Sequence, residues 1–273
     1  MAVRLAEACG YLQAHEAEAV FGRAEEVYAR RVTVPNLFEV VVPDSIWVTE
    51  RAVWFGGVRL RSRTTVVRLA GDALWVHSPG APTDEVCAGL DALGEVRWIV
   101  VPNRFHHLGA PATAARYPKA VVVGRKSAEE RNPHVSVSLQ TDDAAYVEAT
   151  PELASIDLKG VPFLDETMFF HAATGSLIAA DLLISACARD HWTWRFAARI
   201  WGRYEKAGTP PDVRWSTRAS AAAAESIARL RALPLQRILV AHTDPITEQP
   251  AQTLADAWDF AVPSGLAQSS AAI

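Results

Sequence analysis

Residues 100–109 read VVPNRFHHLG, and the reading of this stretch decides the fold. Trp98-Ile99-Val100-Val101 is a short apolar run of the kind that forms a buried strand. Pro102-Asn103 ends it, because proline cannot extend a sheet ladder and asparagine favours turns. Leu108-Gly109 then leads to a short predicted helix, Ala112–Tyr117. Strand, loop and helix in that order form one unit of an α/β layer, and such layers place their ligands beyond the C-terminal ends of strands. His106 and His107 stand at such an end.

The alternation extends to both sides. Upstream, Thr83–Leu93 reads as a helix, with Asp84 and Glu85 in the first turn, where the dipole favours them, and Gly94 placed to end it. Before that the texture is all strand. Phe38–Val42, Ile46–Thr49, Ala52–Phe55, Val58–Leu60, Thr64–Leu69 and Leu74–His77 are short and rich in Val, Trp and Thr. Pro43-Asp44, Glu50-Arg51, Gly56-Gly57 and Gly71-Asp72 read as the turns between them. Downstream, Ala120–Val123, Leu153–Leu158, Thr167–Phe170, Ser176–Ala180 and Leu235–Ala241 are predicted strands. Predicted helices cover Ser127–Arg131, 188–204, a long segment capped by Ser216 and running to Leu233, and Gln252–Phe260. Strands first and strand–helix alternation afterwards fit an αββα sandwich: two mixed β-sheets with helices on the outer faces. Residues 1–36 read as an N-terminal helical extension, 37–262 as the main domain and 263–273 as a loose tail.

Composition narrows the function. The 273-residue chain is half apolar with a formal net charge of −4, so it can bury a large core and lacks the basic footprint of a nucleic-acid binder. No apolar stretch is long enough to span a bilayer, and no signal-peptide pattern opens the chain. Three scattered cysteines, Cys9, Cys87 and Cys187, form neither a disulfide framework nor a zinc-ribbon spacing, which points to a reducing cytoplasm. The expected partner is a small-molecule substrate, with neither nucleic acid nor membrane. A homodimer through the N-terminal helix or the Trp-rich helix 188–204 is a further expectation.

Three predicted strands run into potential metal ligands: WIVVPNRFHH into His106 and His107, SLIAAD into Asp181, and RILVAH into His242. Imidazole and carboxylate together suit zinc, and also iron or manganese. Around them, Asn103 and Arg104 flank the histidine pair as substrate-binding candidates, Arg104 through bidentate contact with an anion. His77 ends its own strand, and Glu166 precedes the Asp181 hairpin; both are candidates to support the ligands from behind. His171 reads as structural. Arg195, Arg199 and Arg203 form a stripe that either faces solvent or lines a pocket for an acidic aromatic ligand. Walker, dinucleotide-binding and G-x-S-x-G motifs are missing.

The chain resembles the metallo-β-lactamase superfamily, and within it a little-characterised branch of domain-of-unknown-function proteins. The resemblance is carried by RTTVVRLAGDALWVHSP at 63–79, IVVPNRFHHLG at 99–109, ADLL at 180–183 and ILVAHTDP at 238–245. It implies an αββα sandwich and, for most members, a metal-dependent hydrolase. The family motif His-x-His-x-Asp-His-x-Gly, anchored on His107-Leu108-Gly109, puts His106 at the aspartate and Pro102 and Arg104 at the first two histidines. The resemblance therefore implies one divalent ion per chain, zinc before iron or manganese, held by His106, His107, Asp181 and His242, with His107 and Asp181 at the catalytic centre. If all four bind, the cage is closed; if His106 points away, a position stays open for an activated water. The functional expectation is a hydrolase of a small ester, lactone, amide or phosphoester. A fold that kept its shape as a binding or scaffold protein, or a mononuclear iron oxidoreductase, are the alternatives.

Overall fold

The computed structural model describes residues 37–263. A seven-stranded sheet contains β1 (Glu39–Val42), β2 (Ile46–Phe55), β3 (Val58–Arg68), β4 (Ala73–His77), β5 (Glu95–Val101), β6 (Val121–Gly124) and β7 (Leu139–Gln140), in that spatial order. Its first four strands are antiparallel and β4 to β7 run parallel. The second sheet has the order β11–β10–β9–β8, formed by Arg237–Leu239, Ser176–Ile178, Thr167–His171 and Leu153–Asp157. Both sheets are mixed, since β10 and β11 are parallel while β8–β9 and β9–β10 are antiparallel.

Helices cover the outer faces. Leu90 and Leu93 of α1 (Asp84–Leu93), Ala110 of α2 (Ala110–Arg116) and Ala128 of α3 (Lys126–Arg131) pack on the first sheet. Ile227 and Leu230 of α7 (Ala221–Arg231) and Leu254 and Trp258 of α8 (Pro250–Trp258) pack on the second. Of α4 (Ala144–Ala149), α5 (Trp192–Ile200) and α6 (Pro211–Ser216), α5 packs on β3, its Trp194 and Ala198 clustering with Leu60. Between the sheets lie Trp75, Trp98, Val100, Tyr146, Phe169, Ile178 and Leu239. Trp75 donates its indole N–H to the Tyr146 hydroxyl at 2.8 Å and meets Phe169 edge-on at 4.9 Å, so the polar atoms of this aromatic layer are satisfied as it is buried. This is the αββα sandwich expected from the sequence. The N-terminal helical extension lies outside the described residues, as does all of the loose tail but Pro263. Among the described residues, no helix is long and apolar enough to cross a membrane.

Three local expectations need correction. Glu50-Arg51 is not a turn: β2 runs through it, and the hairpin closes at Gly56-Gly57, both with positive φ. The charges looked like a strand break, but Glu50 is paired across the ladder with Arg63 and sits in an ion-pair network with Arg61, Arg63 and Arg189. Arg63, 1% exposed, also donates to the carbonyls of Val240, at 3.1 Å, and Thr243. The long helix capped by Ser216 is two helices, because Thr217–Ala219 leave the helical path. Ser220 is the cap of the second, accepting from Ala223 N–H at 3.1 Å. Helix 188–204 is confined to Trp192–Ile200; His191 caps it, and the chain leaves the helix at Trp201. Trp194 of that helix is buried, whereas Trp192, Phe196 and Ile200, one turn apart on its outer face, are exposed.

The Ser220→Ala variant should lose about 1 kcal/mol of stability as a lost N-cap, and Ser216→Ala less than about 0.5 kcal/mol. Glu50→Ala, which strips the carboxylate from the buried Arg63, should cost about 3 kcal/mol. Urea denaturation midpoints at constant m-value report all three.

Candidate metal centre

His106, Asp181 and His242 meet at the sheet edge where β5, β10 and β11 end. One ligand-type atom from each lies within 4.8 Å of the other two. His106 Nε2 is 3.2 Å from Asp181 Oδ1 and 3.1 Å from His242 Nε2, and His242 Nε2 is 3.4 Å from Asp181 Oδ1. The far side of every one of these groups is held by the protein. His242 Nδ1–H donates to the Arg61 carbonyl at 2.6 Å, which leaves Nε2 with its lone pair facing the cluster. His106 Nδ1 meets the Ser78 hydroxyl, which holds the ring with Nε2 toward the cluster. Asn103 donates its amide to Asp181 Oδ2 at 2.9 Å.

Loop 102–109 explains the arrangement. Asn103 is fully buried, and its carbonyl oxygen accepts the backbone N–H groups of both Phe105 and His106 at 2.9 Å. The two bonds curl the chain, so that consecutive side chains diverge. His106 points to Asp181, while His107 turns to Asn132, its Nδ1 lying 3.2 Å from the Asn132 amide. His107 was expected as the firmer ligand of the pair; in the structure the three-residue cluster contains His106, and His107 lies on the adjoining wall. Asn103, expected to contact substrate, is buried and forms the strut between loop and aspartate. Arg104 is not among the residues lining the cleft, and its charge acts on Asp165.

Glu166 stands behind Asp181. It is 1% exposed and accepts from the backbone N–H of Ala180 and, at 3.1 Å, of Asp181. Burial and the neighbouring Asp181 carboxylate raise its pKa to about 8, against the pull of those donors. Its sequence neighbour Asp165 instead pairs with Arg125 at 2.8 Å. His77 is buried between Trp75 and Phe169 with Nε2 unpartnered, and burial drives its pKa down to about 3. His171 is bonded to Thr174 at 2.8 Å, away from the cluster. Of the arginine stripe, Arg195 donates to Ala188 O, Arg199 stacks on Tyr204, and Arg203 donates to Thr209 O; none lines the cleft.

The electrostatics suit a cation. Burial lowers the pKa of His106, keeping it a neutral imidazole with a free lone pair. Burial opposes the charge of Asp181, but His106 and His242 outweigh it and hold that carboxyl well below the ordinary range. Two imidazoles and one carboxylate, each steered from behind by a hydrogen bond, make a donor set that could hold a divalent ion. The cluster opens into a cleft of about 850 Å³, walled by Trp54, Phe55, Trp194, Trp201 and Trp215. Ser78 and Arg51 were not singled out in the sequence. Ser78 directly follows His77 at a strand end, the same signal that marks Asp181 and His242.

Comparison with known structures bears on the fold. The structure is similar to a metallo-β-lactamase from Erythrobacter litoralis, with TM-score 0.59 and 16% identity over 81% of this chain and 95% of that one. It is also similar to the metallo-β-lactamase FIM-1 from Pseudomonas aeruginosa in its mono-zinc form, with TM-score 0.54 and 14% identity over 84% and 97%. A metallo-β-lactamase from Pontibacter korlensis gives TM-score 0.53 and 11% identity over 81% and 99%. The fold is that of the metallo-β-lactamases. Residues 43–126 match the model of a domain of unknown function, DUF4336. A search of curated protein sequences finds no match.

The pH dependence of metal-free protein has two opposing parts. His77, His106, His107 and His171 all have lowered pKa values, chiefly through burial, so they take up protons on unfolding below about pH 6.5 and stability falls with acid. Glu166, raised from 4.5 to about 8, holds its proton in the fold and loses it on unfolding, so stability falls as pH rises toward 8. Stability of the chelator-treated protein should therefore peak near pH 6.5. Glu166→Gln should flatten the alkaline limb, as read from urea midpoints across pH 5 to about 8.5.

Proposed function

We propose that the protein is a hydrolase that uses one divalent metal ion, zinc before iron or manganese, on a small ester, lactone, amide or phosphoester. The observation that carries this reading is the convergence of His106, Asp181 and His242, with Ser78, Asn103 and the Arg61 carbonyl fixing the far side of each. Three protein donors are the number that catalytic zinc sites keep, whereas structural sites use four. Excluding His107 from the donor set favours the working form over the closed cage. The mono-zinc form of the FIM-1 enzyme is a precedent within this fold for one ion per chain.

When bound, such an ion supplies Lewis acidity, polarising a substrate oxygen and easing deprotonation of water. The chain's own groups supply the rest. Asn103 and Glu166 keep Asp181 oriented, and Ser78 and the Arg61 carbonyl hold the two imidazole rings from behind. Trp194 and its aromatic neighbours pack against the apolar body of the substrate and exclude water from the reacting end. Asp212 lines the same cleft, and burial together with the Asp181 carboxylate raises its pKa, which suits it to deliver a proton to a leaving group.

Natively purified protein should contain close to one equivalent of zinc, iron or manganese per chain. His106→Ala, Asp181→Ala and His242→Ala should each lower metal affinity at least about tenfold, and His107→Ala should leave it within about twofold. Elemental analysis and competition with a chromogenic chelator read both effects. Turnover of a p-nitrophenyl ester, a lactone, an anilide and a phosphodiester should fall with the first three variants. Less than about 0.2 metal per chain after reconstitution overturns the reading, and bound iron with visible absorption redirects it to oxygen chemistry.

A further inference from the structure

Arg51 lies in the middle of β2 and lines the same cleft as His106, Asp181 and His242. Its side chain is partly buried, and its hydrogen bond is a long one, from Nη1 to the Thr64 hydroxyl at 3.3 Å. Among the described residues no carboxylate stands within ion-pair distance of it, although Glu50, next in sequence, takes Arg61, Arg63 and Arg189. Burial lowers its pKa with no anion to offset the effect, yet a guanidinium keeps its charge at any working pH. A desolvated cation without a counter-charge is costly to maintain, and cleft arginines of this kind bind oxyanions through paired N–H donors.

Its position is fixed relative to the cluster. Thr64, which receives the Arg51 hydrogen bond, donates to the Ser78 carbonyl at 2.9 Å, and the Ser78 hydroxyl meets His106 Nδ1. The side chain also occupies the space beside Gly80 that a Cβ would fill, with Nη1 2.8 Å from that point. Gly80 thus leaves room for the guanidinium. Arg51 borders a second, smaller pocket of about 330 Å³ as well, but the other charged groups there are Glu50 and Glu85, which repel an anion.

We propose that Arg51 is the specificity anchor of the cleft, binding a carboxylate, sulfonate or phosphate group on a substrate whose apolar, aromatic-sized body lies along the tryptophan wall. The proposal deepens the hydrolase reading by naming the substrate class: an amphiphilic anion. It rests on that reading only for the reaction, since the anion site is built from residues outside the metal cluster.

The test compares 4-biphenylacetate with its neutral isostere 4-biphenylacetamide by calorimetry and tryptophan fluorescence, on the protein as purified and again after chelation. The parent should prefer the carboxylate by about tenfold or more in both states, a difference of about 1.4 kcal/mol. Arg51→Gln should abolish the preference while changing amide affinity less than about twofold, and Arg51→Lys should restore part of it. Gly80→Ala, which keeps the charge but displaces the guanidinium, should also reduce it. No preference in the chelated parent, or a preference that survives in chelated Arg51→Gln, overturns the anchor. Asp181→Ala should leave the chelated-state preference within about twofold, so loss of metal binding and loss of the anion site are read separately.

Discussion

A charged strand interior holds the two sheets together at the edge where the candidate site lies. Within β3, Arg63 donates its backbone N–H to Ala241 at 2.9 Å, and its guanidinium reaches the carbonyls of Val240 and Thr243 just beyond β11. Two residues earlier, the Arg61 carbonyl receives His242 Nδ1–H. The first sheet therefore fixes the backbone of the second and also orients the His242 side chain. Glu50, Asp190 and Asp244 neutralise Arg61 and Arg63, so the seam brings its own counter-charges. A buried arginine whose carbonyl partners lie on another sheet tolerates little sliding, because a shift would leave donors unsatisfied at a cost of about 1–3 kcal/mol each. The position of His242 relative to β3 is thus set by backbone chemistry, before any ligand is considered.

The other half of the cluster is set by Asn103. Its oxygen folds the loop that carries His106, and its nitrogen holds Asp181, so one carboxamide fixes two donors on different sheets. Glu166 closes the arrangement by accepting the N–H groups at Ala180 and Asp181, which otherwise end β10 with unpaired donors. Each group of the cluster is reached through hydrogen bonds at its far side, and rigidity is what keeps three donor atoms facing one point rather than collapsing onto separate partners.

The strand ends were legible in the sequence because apolar runs closing on a polar residue mark where buried strands emerge, and β5, β10 and β11 all do so. The αββα layering followed from the order of periodicities, strand-like first and alternating later. The choice between His106 and His107 was not legible. It depends on Asn103 bonding two successive N–H groups, and neither spacing nor residue type distinguishes a curled loop from an extended one. Anchoring the family motif on His107-Leu108-Gly109 puts the weight on His107, which the curled loop turns toward Asn132. Arg51 was hidden differently: Glu50-Arg51 looks like a turn because charges are rare inside strands, and only the cross-strand pairing with Ser62 and Arg63 makes the segment continuous. Local pattern fails where long-range ion pairs supply the counter-charge.

The charges inside the cleft are laid out in sequence along it. At one end, the ionised Asp181 faces two imidazoles, of which His106 is kept neutral by burial, so that end carries a negative charge that attracts a cation. Beyond Ser78 and Thr64 stands Arg51, a positive charge with no carboxylate at ion-pair distance among the described residues. Its field disfavours protonation of His106, and thereby supports that imidazole as a lone-pair donor. The aromatic wall is mostly apolar, with Asp212 and Arg131 as further charged groups lining the cleft. A ligand with an anionic group, a reactive centre and an apolar body can satisfy all three regions in only one orientation. Reversal would bring its anion against tryptophan and its apolar body against a guanidinium that has lost water without gaining a partner. Orientation in this cleft therefore follows from desolvation, since each region penalises the wrong part of the ligand more than it rewards the right one.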